Sequence, residues 1–483
     1  MTVEVGQPPR ERRVGPAERL ERLCDPGSVH VVRSQVKSGV LGERAREGDG
    51  VVAAAARIQG RPVFCYAENS RFAGGSLGEA HADTILRVLE LADRARVPVV
   101  GLIESAGARL QEGTAALSGY ARIFRKNVEL SGRVPQISVL TGTSAGGGCY
   151  SPALTDFVIM ARSASMFLTG PAIVREAIGE DVTAEELGGS KVQSANGVCH
   201  FVTPTHLDAV ELVRDLLSYL PQNASEPVAL RPPEDPEFED PGAWVPAEPH
   251  RAYDVRDVIR SIVDRGQVLE VAPRWARNIV TALCRLDGRA IGVIANQPGY
   301  LGGVLDADAA TKGARFVRTC SCFGLPLVAL VDTPGFMPGS RQERAGVIRH
   351  GAKLVHAFAA ARVPKMSIVL RKAYGGAYIT MNAKDLGADF SFAWPGCEIG
   401  IMAARQAVGI AHRREIADAS PEEVDRLVSD YAEQHLSAQS AVRGGFIDEI
   451  IEPTETRVRL CDAFATLEQL LPQPDGHGSN IPL

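Results

Sequence analysis

The chain has 483 residues, 45% hydrophobic and 23% charged, and 52 Lys+Arg against 58 Asp+Glu give a net charge of −6. A slightly acidic chain with no dense basic block points away from nucleic acid or anionic membrane as partners, and no run reaches the ~18 apolar residues of a membrane span. The N-terminus shows no apolar core of a secretory signal, so a cytoplasmic protein is expected, with room for a large core in about two to four domains. Its nine cysteines include no Cys-x-x-Cys pair and no tight Cys/His cluster. Reduced thiols and no metal are therefore expected.

Short runs rich in Val, Ile and Leu at 97–103, 136–141, 291–295, 326–331 and 366–370 alternate with helical patterns, predicting buried strands and their covering helices. One such helix spans 81–95, with Ile85, Val88, Leu89 and Leu91 at three- and four-residue spacing. Residues 221–250 are rich in Pro and acid; they predict an N-terminal domain over 1–225, a linker over 226–250 and a C-terminal domain over 251–483. Ser420-Pro421-Glu422-Glu423 reads as a capping box opening a helix whose apolar face carries Val424, Leu427, Val428, Tyr431 and Leu436. Residues 473–480 are polar and Gly-rich, a loose tail.

The chain also repeats itself. Arg57-Ile58-Gln59-Gly60-Arg61 returns 228 residues later as Arg285-Leu286-Asp287-Gly288-Arg289, and at that offset Glu104 faces Asp332 and Gly107 faces Gly335. One residue further in register, Gly146-Gly147 fall opposite Gly375-Gly376. Three matched segments in one order make the chain two copies of one α/β domain.

Each copy places a glycine pair between a strand and a helix. Such a turn lets backbone approach a ligand and aims unpaired N–H groups at a phosphate or an oxyanion; equally, it permits tight strand–helix packing. A competing motif is Gly142-Thr143-Ser144-Ala145-Gly146, which matches the Gly-x-Ser-x-Gly nucleophile elbow of serine hydrolases. The second copy has Ala373 opposite Ser144, so the duplication kept the glycines and not the serine. Glu104 and Asp332 end equivalent strands, as ligand groups or as turn carboxylates. Arg109 and Arg341 follow in their loops and suit phosphates or carbonyls. His81, His200 and His350 stand isolated, as packed histidines do. No Walker A or Gly-x-Gly-x-x-Gly sequence is present, which points away from ATP and nicotinamide chemistry.

At GGSLGEAH (74–81), ESAGARLQEG (104–113), SAGGGCYSPALTDF (144–157), FLTGPAIVREAIGEDVTAEELGG (167–189), IANQPGYLGGVLD (294–306), VDTPGFMPGSRQERAGVIRHGAKL (331–354), RKAYGGAYITMNAK (371–384) and FAWPGCEIGIM (392–402), the sequence resembles the carboxyltransferase (β) subunit of biotin-dependent acyl-CoA carboxylases, the acetyl-/propionyl-CoA carboxylase family. The AYITMN segment and the terminal Asn480-Ile481-Pro482-Leu483 are most similar to short members that make malonyl-CoA. The resemblance implies two tandem crotonase-like domains, each a β–β–α superhelix, and a homohexamer of two stacked trimers. It implies acyl-CoA on the N-terminal domain of one protomer and carboxybiotin, carried on a separate biotin carboxylase/carrier subunit, at the C-terminal domain of another. In that chemistry carboxybiotin yields CO₂, the freed ureido nitrogen takes the acyl α-proton, and the enolate attacks CO₂.

By motif position, Gly146 and Gly147, with Gly148 adjacent, would hold the thioester oxyanion, and Gly376 and Ala377 the ureido oxygen. Ala106, Gly107, Ala108, Arg109, Tyr378 and Ile379 fall where the family binds substrate. Propionyl-preferring members often carry Asp at the position of Ile379, so acetyl-CoA and propionyl-CoA are both expected substrates, giving malonyl-CoA and methylmalonyl-CoA. Two departures bear on substrate identity: Ala106 and Ala403 stand where the family usually has glycine, and an added methyl is poorly tolerated at positive φ. The remaining alternatives are a biotin-dependent decarboxylase, a scaffolding subunit, and the hydrolase using Ser144.

Overall fold

A computed structural model describes residues 14–248, 250–467 and 480–481; the sequence expectations for the N-terminus, for most of the 473–480 tail and for Pro482-Leu483 lie outside them. The chain divides into two compact units, Met1–Leu217 and Ser218–Leu483. The Pro- and acid-rich 221–250 stretch falls in the second unit, where most of its described residues are exposed and a few anchor it. Pro236 bridges to Asp264, and the Trp244 indole N–H donates to Ser261 Oγ at 3.0 Å.

The first unit holds strands β1 (His30–Val32), β2 (Val51–Ile58), β3 (Arg61–Glu68), β4 (Val99–Ser105), β5 (Gln136–Ala145), β6 (Phe157–Ala161), β7 (Ser165–Phe167) and β8 (Phe201–Thr203). The second holds β9 (Leu269–Glu270), β10 (Ile279–Leu286), β11 (Arg289–Asn296), β12 (Leu327–Thr333), β13 (Lys365–Tyr374), β14 (Phe390–Ala393), β15 (Glu398–Gly400) and β16 (Glu449–Ile450). The first sheet runs β1-β2-β3-β4-β5-β6-β8 with β7 on β5; the second runs β9 through β14 and then β16, with β15 on β13. In each, the first three strands pair antiparallel and the rest parallel. The duplication read from the sequence is thus a duplication of topology, strand for strand. The parallel strands are apolar on both faces because crossover helices such as Glu79–Ala95 and Ala307–Cys322 cover them.

The repeated Arg-x-x-Gly-Arg segments are the two hairpin turns. Gln59 (φ 51°) with Gly60 (φ 76°), and Asp287 (φ 52°) with Gly288 (φ 74°), form left-handed pairs that match the twist of the flanking strands. Each turn is gripped by an upstream aspartate. Asp25 accepts from the N–H groups of Gln59 (2.9 Å) and Gly60 (2.7 Å); Asp264 accepts from Asp287 (2.9 Å) and Gly288 (2.7 Å). An arginine from each unit's last long helix seals the grip, Arg214 on Asp25 at 3.3 Å and Arg457 on Asp264 at 2.7 Å.

Strand ends differ most from expectation. The apolar run 136–141 predicts a strand that stops before Gly142, yet β5 continues to Ala145, and β13 likewise to Tyr374. Polar residues extend these strands because their ends leave one neighbour and pair with another: Thr143–Ala145 align with β7 and Lys372–Tyr374 with β15. The partner strands carry a register shift at the same place in each copy, between Ile103 and Ser105 and between Val331 and Thr333. The capping box forms as expected at Ser420 and Glu423, and Leu436 buries against Tyr374 and Ala404.

The two aspartate grips differ in depth, Asp264 being buried and Asp25 a quarter exposed. Asp264→Ala, which strands two turn N–H groups and Arg457, should cost about 3–5 kcal/mol, and Asp25→Ala about 1–2 kcal/mol, read by urea denaturation.

Candidate active site

Each long strand ends in the glycine turn. Gly146 and Gly375 both have positive φ (56° and 60°), so the chain turns off the strand through a conformation that a side chain would strain. A short helix starts there, Gly146–Cys149 leading into Tyr150–Ala153 in the first copy and Gly375–Thr380 in the second. The first N–H groups of a helix have no intrahelical acceptor, which leaves those of Gly146 and Gly147, and of Gly376 and Ala377, as donors. Gly146 and Gly147 are half-buried and Gly376 is exposed, so both turns reach the surface. Gly148 and Ala377 are buried and pack the turns from below. Tyr378 is half-buried, and Ile379 is 52% exposed and so no core residue of this chain.

Ser144 does not behave as a nucleophile. Its side chain is fully buried and its hydroxyl donates to the Gly148 carbonyl at 2.9 Å, closing the glycine turn on itself. The Cys149 thiol, pushed up to about 12 by burial, points at the Ser144 and Phe167 carbonyls and is equally inert.

The loop after β4 lies against this turn. Gly107 (φ 93°) approaches so closely that a Cβ there would sit 3.1 Å from the Ala145 carbonyl oxygen. Ala106 N–H donates to the Gly74 carbonyl (3.1 Å), and Leu77 exchanges backbone hydrogen bonds with Gly107 and Arg109 at 2.9 Å each. Ala106 and Ala403 are both outside the left-handed region, Ala403 at φ −58°, so the methyl groups carried in place of the usual glycines cost no backbone strain. Arg109 corrects an expectation. Its guanidinium is buried, bonded to both Asp49 carboxylate oxygens (2.7 and 2.9 Å), to Glu112 (2.8 Å) and to the Ser76 carbonyl (2.9 Å). It shapes the loop from within and has no face left for substrate. Ala108 is half-buried between these anchors.

Behind each turn lies a polar centre. Glu104 accepts from Ser70 (2.7 Å) and Thr141 (3.1 Å) and pairs with Arg19 at 3.4 Å. Asp332 accepts from Tyr253 (2.8 Å) and Arg371 (3.1 Å), with Lys372 at 3.8 Å; burial raises its carboxyl above the usual range. Sequence reasoning missed the residues that hold these two in place. Glu68 accepts the Glu104 N–H at 2.9 Å, and Asn296 accepts the Asp332 N–H at 3.3 Å. Glu68 and Asn296 stand at the 228-residue offset already found, so the repeat itself could have found them. Burial pushes Glu68 up to about 8 and His81, 3.8 Å away, down to about 3. His200 accepts the Val158 N–H, His350 bonds Thr311, and Arg341 is exposed on the helix Ser340–Ala345. Among the described residues no three His, Cys, Asp or Glu side chains group as a metal site would require, and no helix is long and apolar enough to cross a membrane.

Residues 10–472 match the family of the Carboxyl transferase domain. This chain belongs to that family. A propionyl-CoA carboxylase carboxyltransferase subunit of Haloferax mediterranei is 46% identical over 90% of this chain and 86% of its own length. The methylmalonyl-CoA decarboxylase subunit alpha of Veillonella parvula is 43% identical over 96% of this chain and 92% of its own. The crystal structure of transcarboxylase 12S, a hexamer assembly with methylmalonyl-coenzyme A and methylmalonic acid bound, superposes with a TM-score of 0.92 at 41% identity, covering 97% of this chain and 92% of that one. The fold is therefore the tandem crotonase-like one, and the chain is a biotin-dependent acyl-CoA carboxyltransferase.

Since Ser144 is buried and its hydroxyl is spent on the Gly148 carbonyl, Ser144→Ala should lower activity no more than about tenfold, through a loosened turn. Loss of a true triad serine costs on the order of a millionfold. Steady-state rates on the purified variant distinguish the two.

Proposed function

We propose that this carboxyltransferase moves a carboxyl group between carboxybiotin on a separate carrier chain and the α-carbon of a short acyl-CoA, acetyl-CoA or propionyl-CoA. The observation that carries the reading is the turn made twice: each copy ends its longest strand in a positive-φ glycine at which a helix starts, so that the first helical N–H groups have no intrahelical acceptor. The reaction develops negative charge on two oxygens, one on the thioester and one on the biotin ureido group. Gly146 and Gly147 would donate to the first, and Gly376 and Ala377 to the second, each donor contributing about 2.7–4 kcal/mol to the transition state. The donor set fits a ureido oxygen that is neutral when bound and gains charge in the transition state, since a turn of backbone N–H groups offers dipoles without a full counter-charge. Carboxybiotin, when bound, supplies CO₂ and a nitrogen that takes the α-proton. This chain's turns hold the two oxygens while charge builds on them.

The likeness to a decarboxylase subunit is consistent with this chemistry, because the same turns stabilise the same oxyanions in either direction. The carboxylase direction follows from coupling to a biotin carboxylase/carrier partner. A cytoplasmic setting belongs to the same reading, in keeping with nine free cysteines. Assembly as a homohexamer is proposed from the likeness to transcarboxylase 12S. Sedimentation should give a particle of six chains, and a fully active monomer would contradict it.

Ile379 is the residue through which acyl choice is tested. Since it is exposed, Ile379→Asp should melt within about 0.5 kcal/mol of the parent. It should also change the propionyl-CoA to acetyl-CoA ratio of kcat/KM by about tenfold or more, measured with a biotinylated carrier. An unchanged ratio would remove Ile379 from specificity.

A further inference from the structure

Tyr120 lies on the helix Thr114–Leu130, is buried, and was singled out by no motif. Two contacts place it beneath the acyl-side turn. Its ring lies flush under Gly147, where an added Cβ would be 2.7 Å from the ring carbon Cδ2. Its hydroxyl is 3.2 Å from Ser105 Oγ.

The hydrogen-bond bookkeeping at Ser105 fixes the direction of that contact. Ser105 Oγ donates to the Gly75 carbonyl at 3.0 Å and accepts the Gly107 N–H at 3.3 Å. Its one proton is used on Gly75, so Tyr120 must be the donor and Ser105 the acceptor. Three loops therefore meet through one phenol. These are the glycine turn on the ring face, the 105–107 loop through the bond to Ser105, and, one step on, the 73–75 turn through the Ser105 hydroxyl that donates to Gly75. Ser105 also lies under Gly148, whose added Cβ would sit 3.1 Å from its own Cβ.

The second copy provides an internal comparison. Thr333 stands opposite Ser105 at the 228-residue offset, and its Oγ1 accepts the Gly335 N–H at 3.3 Å. There the turn rests on Phe336, with an added Cβ at Gly376 falling 3.9 Å from that ring. Phenylalanine has no hydroxyl to tie its loop. The rigid tie is present on the acyl side and absent on the other.

We infer that Tyr120 is a positioning residue for carboxyl transfer, holding the Gly146–Gly147 donors at the distance the thioester oxyanion requires by fixing the turn to Ser105. The inference rests on the assignment of that turn to the oxyanion. A donor displaced by even 1 Å loses much of its effect in the transition state while leaving ground-state binding nearly intact.

Carboxyl transfer from malonyl-CoA or methylmalonyl-CoA to biocytin, with the purified full chain, tests it. Tyr120→Phe keeps the ring and removes only the hydroxyl. It should lower kcat roughly ten- to a hundredfold and leave the acyl-CoA KM within about twofold. Ser105→Ala should show the same split, and the double variant should lose no more than the larger single loss, since both changes cut one tie. An unchanged kcat in Tyr120→Phe, or a double loss equal to the product of the singles, overturns the inference. Gly146→Ala separates the two layers, because its Cβ strains the turn at φ 56° and meets no atom of Tyr120. If that variant keeps full activity, the oxyanion assignment itself has failed; if it is inactive while Tyr120→Phe is silent, only the role of Tyr120 has.

Discussion

A strand that must hand its chain to a helix within one residue needs a backbone conformation that side chains resist, and in both units a glycine supplies it. Gly146 and Gly375 take φ near +60°, and from that single choice the rest of each turn follows. The helix begins at once, and its first N–H groups are left without intrahelical carbonyls at the point where the strand end has left its neighbour in the sheet. The register shifts between Ile103 and Ser105 and between Val331 and Thr333 mark where that separation starts. In the proposed reading, the donors are a by-product of how the sheet splits.

The two units keep this geometry and differ in what surrounds it. Where β5 pairs with β7, Thr143 and Ser165 share a hydroxyl contact at 3.1 Å; the corresponding pair on β13 and β15 is Lys372 and Glu398. Burial draws the Lys372 ammonium below its usual range, and Tyr374 bonds Glu398 beside it. The polar centres differ likewise, Glu104 with Glu68 in one and Asp332 with Asn296 in the other. One backbone device has been set in two electrostatic environments, as a reaction with two unlike oxygens would demand.

Much of this was legible in the sequence, for reasons that can be stated. The offset of 228 residues exposed the duplication, because turn glycines cannot drift without loss of the turn. Apolar runs located the strand cores. They could not show where β5 and β13 end, since those ends are polar and are held by pairing to distant short strands. For Arg109 the sequence left phosphates or carbonyls open and its family position suggested substrate; the structure gives it the Ser76 carbonyl and two buried carboxylates, which no loop motif could foretell. Tyr120 carried no signal, as an aromatic on an amphipathic helix looks like any core residue until its hydroxyl is traced to Ser105.

The hairpin grips have a consequence for how the chain is made. Asp25 stands near the start of the first unit and Arg214 near its end, and Asp264 and Arg457 bracket most of the second. Each arginine seal is thus a long-range contact, among the last a growing chain can form. During synthesis Asp25 can hold the opening hairpin early, whereas Arg214 can seal that grip only when the helix His206–Ser218 has left the ribosome, which happens before the second unit exists. Two separately fastened units let one long polypeptide fold as two short ones.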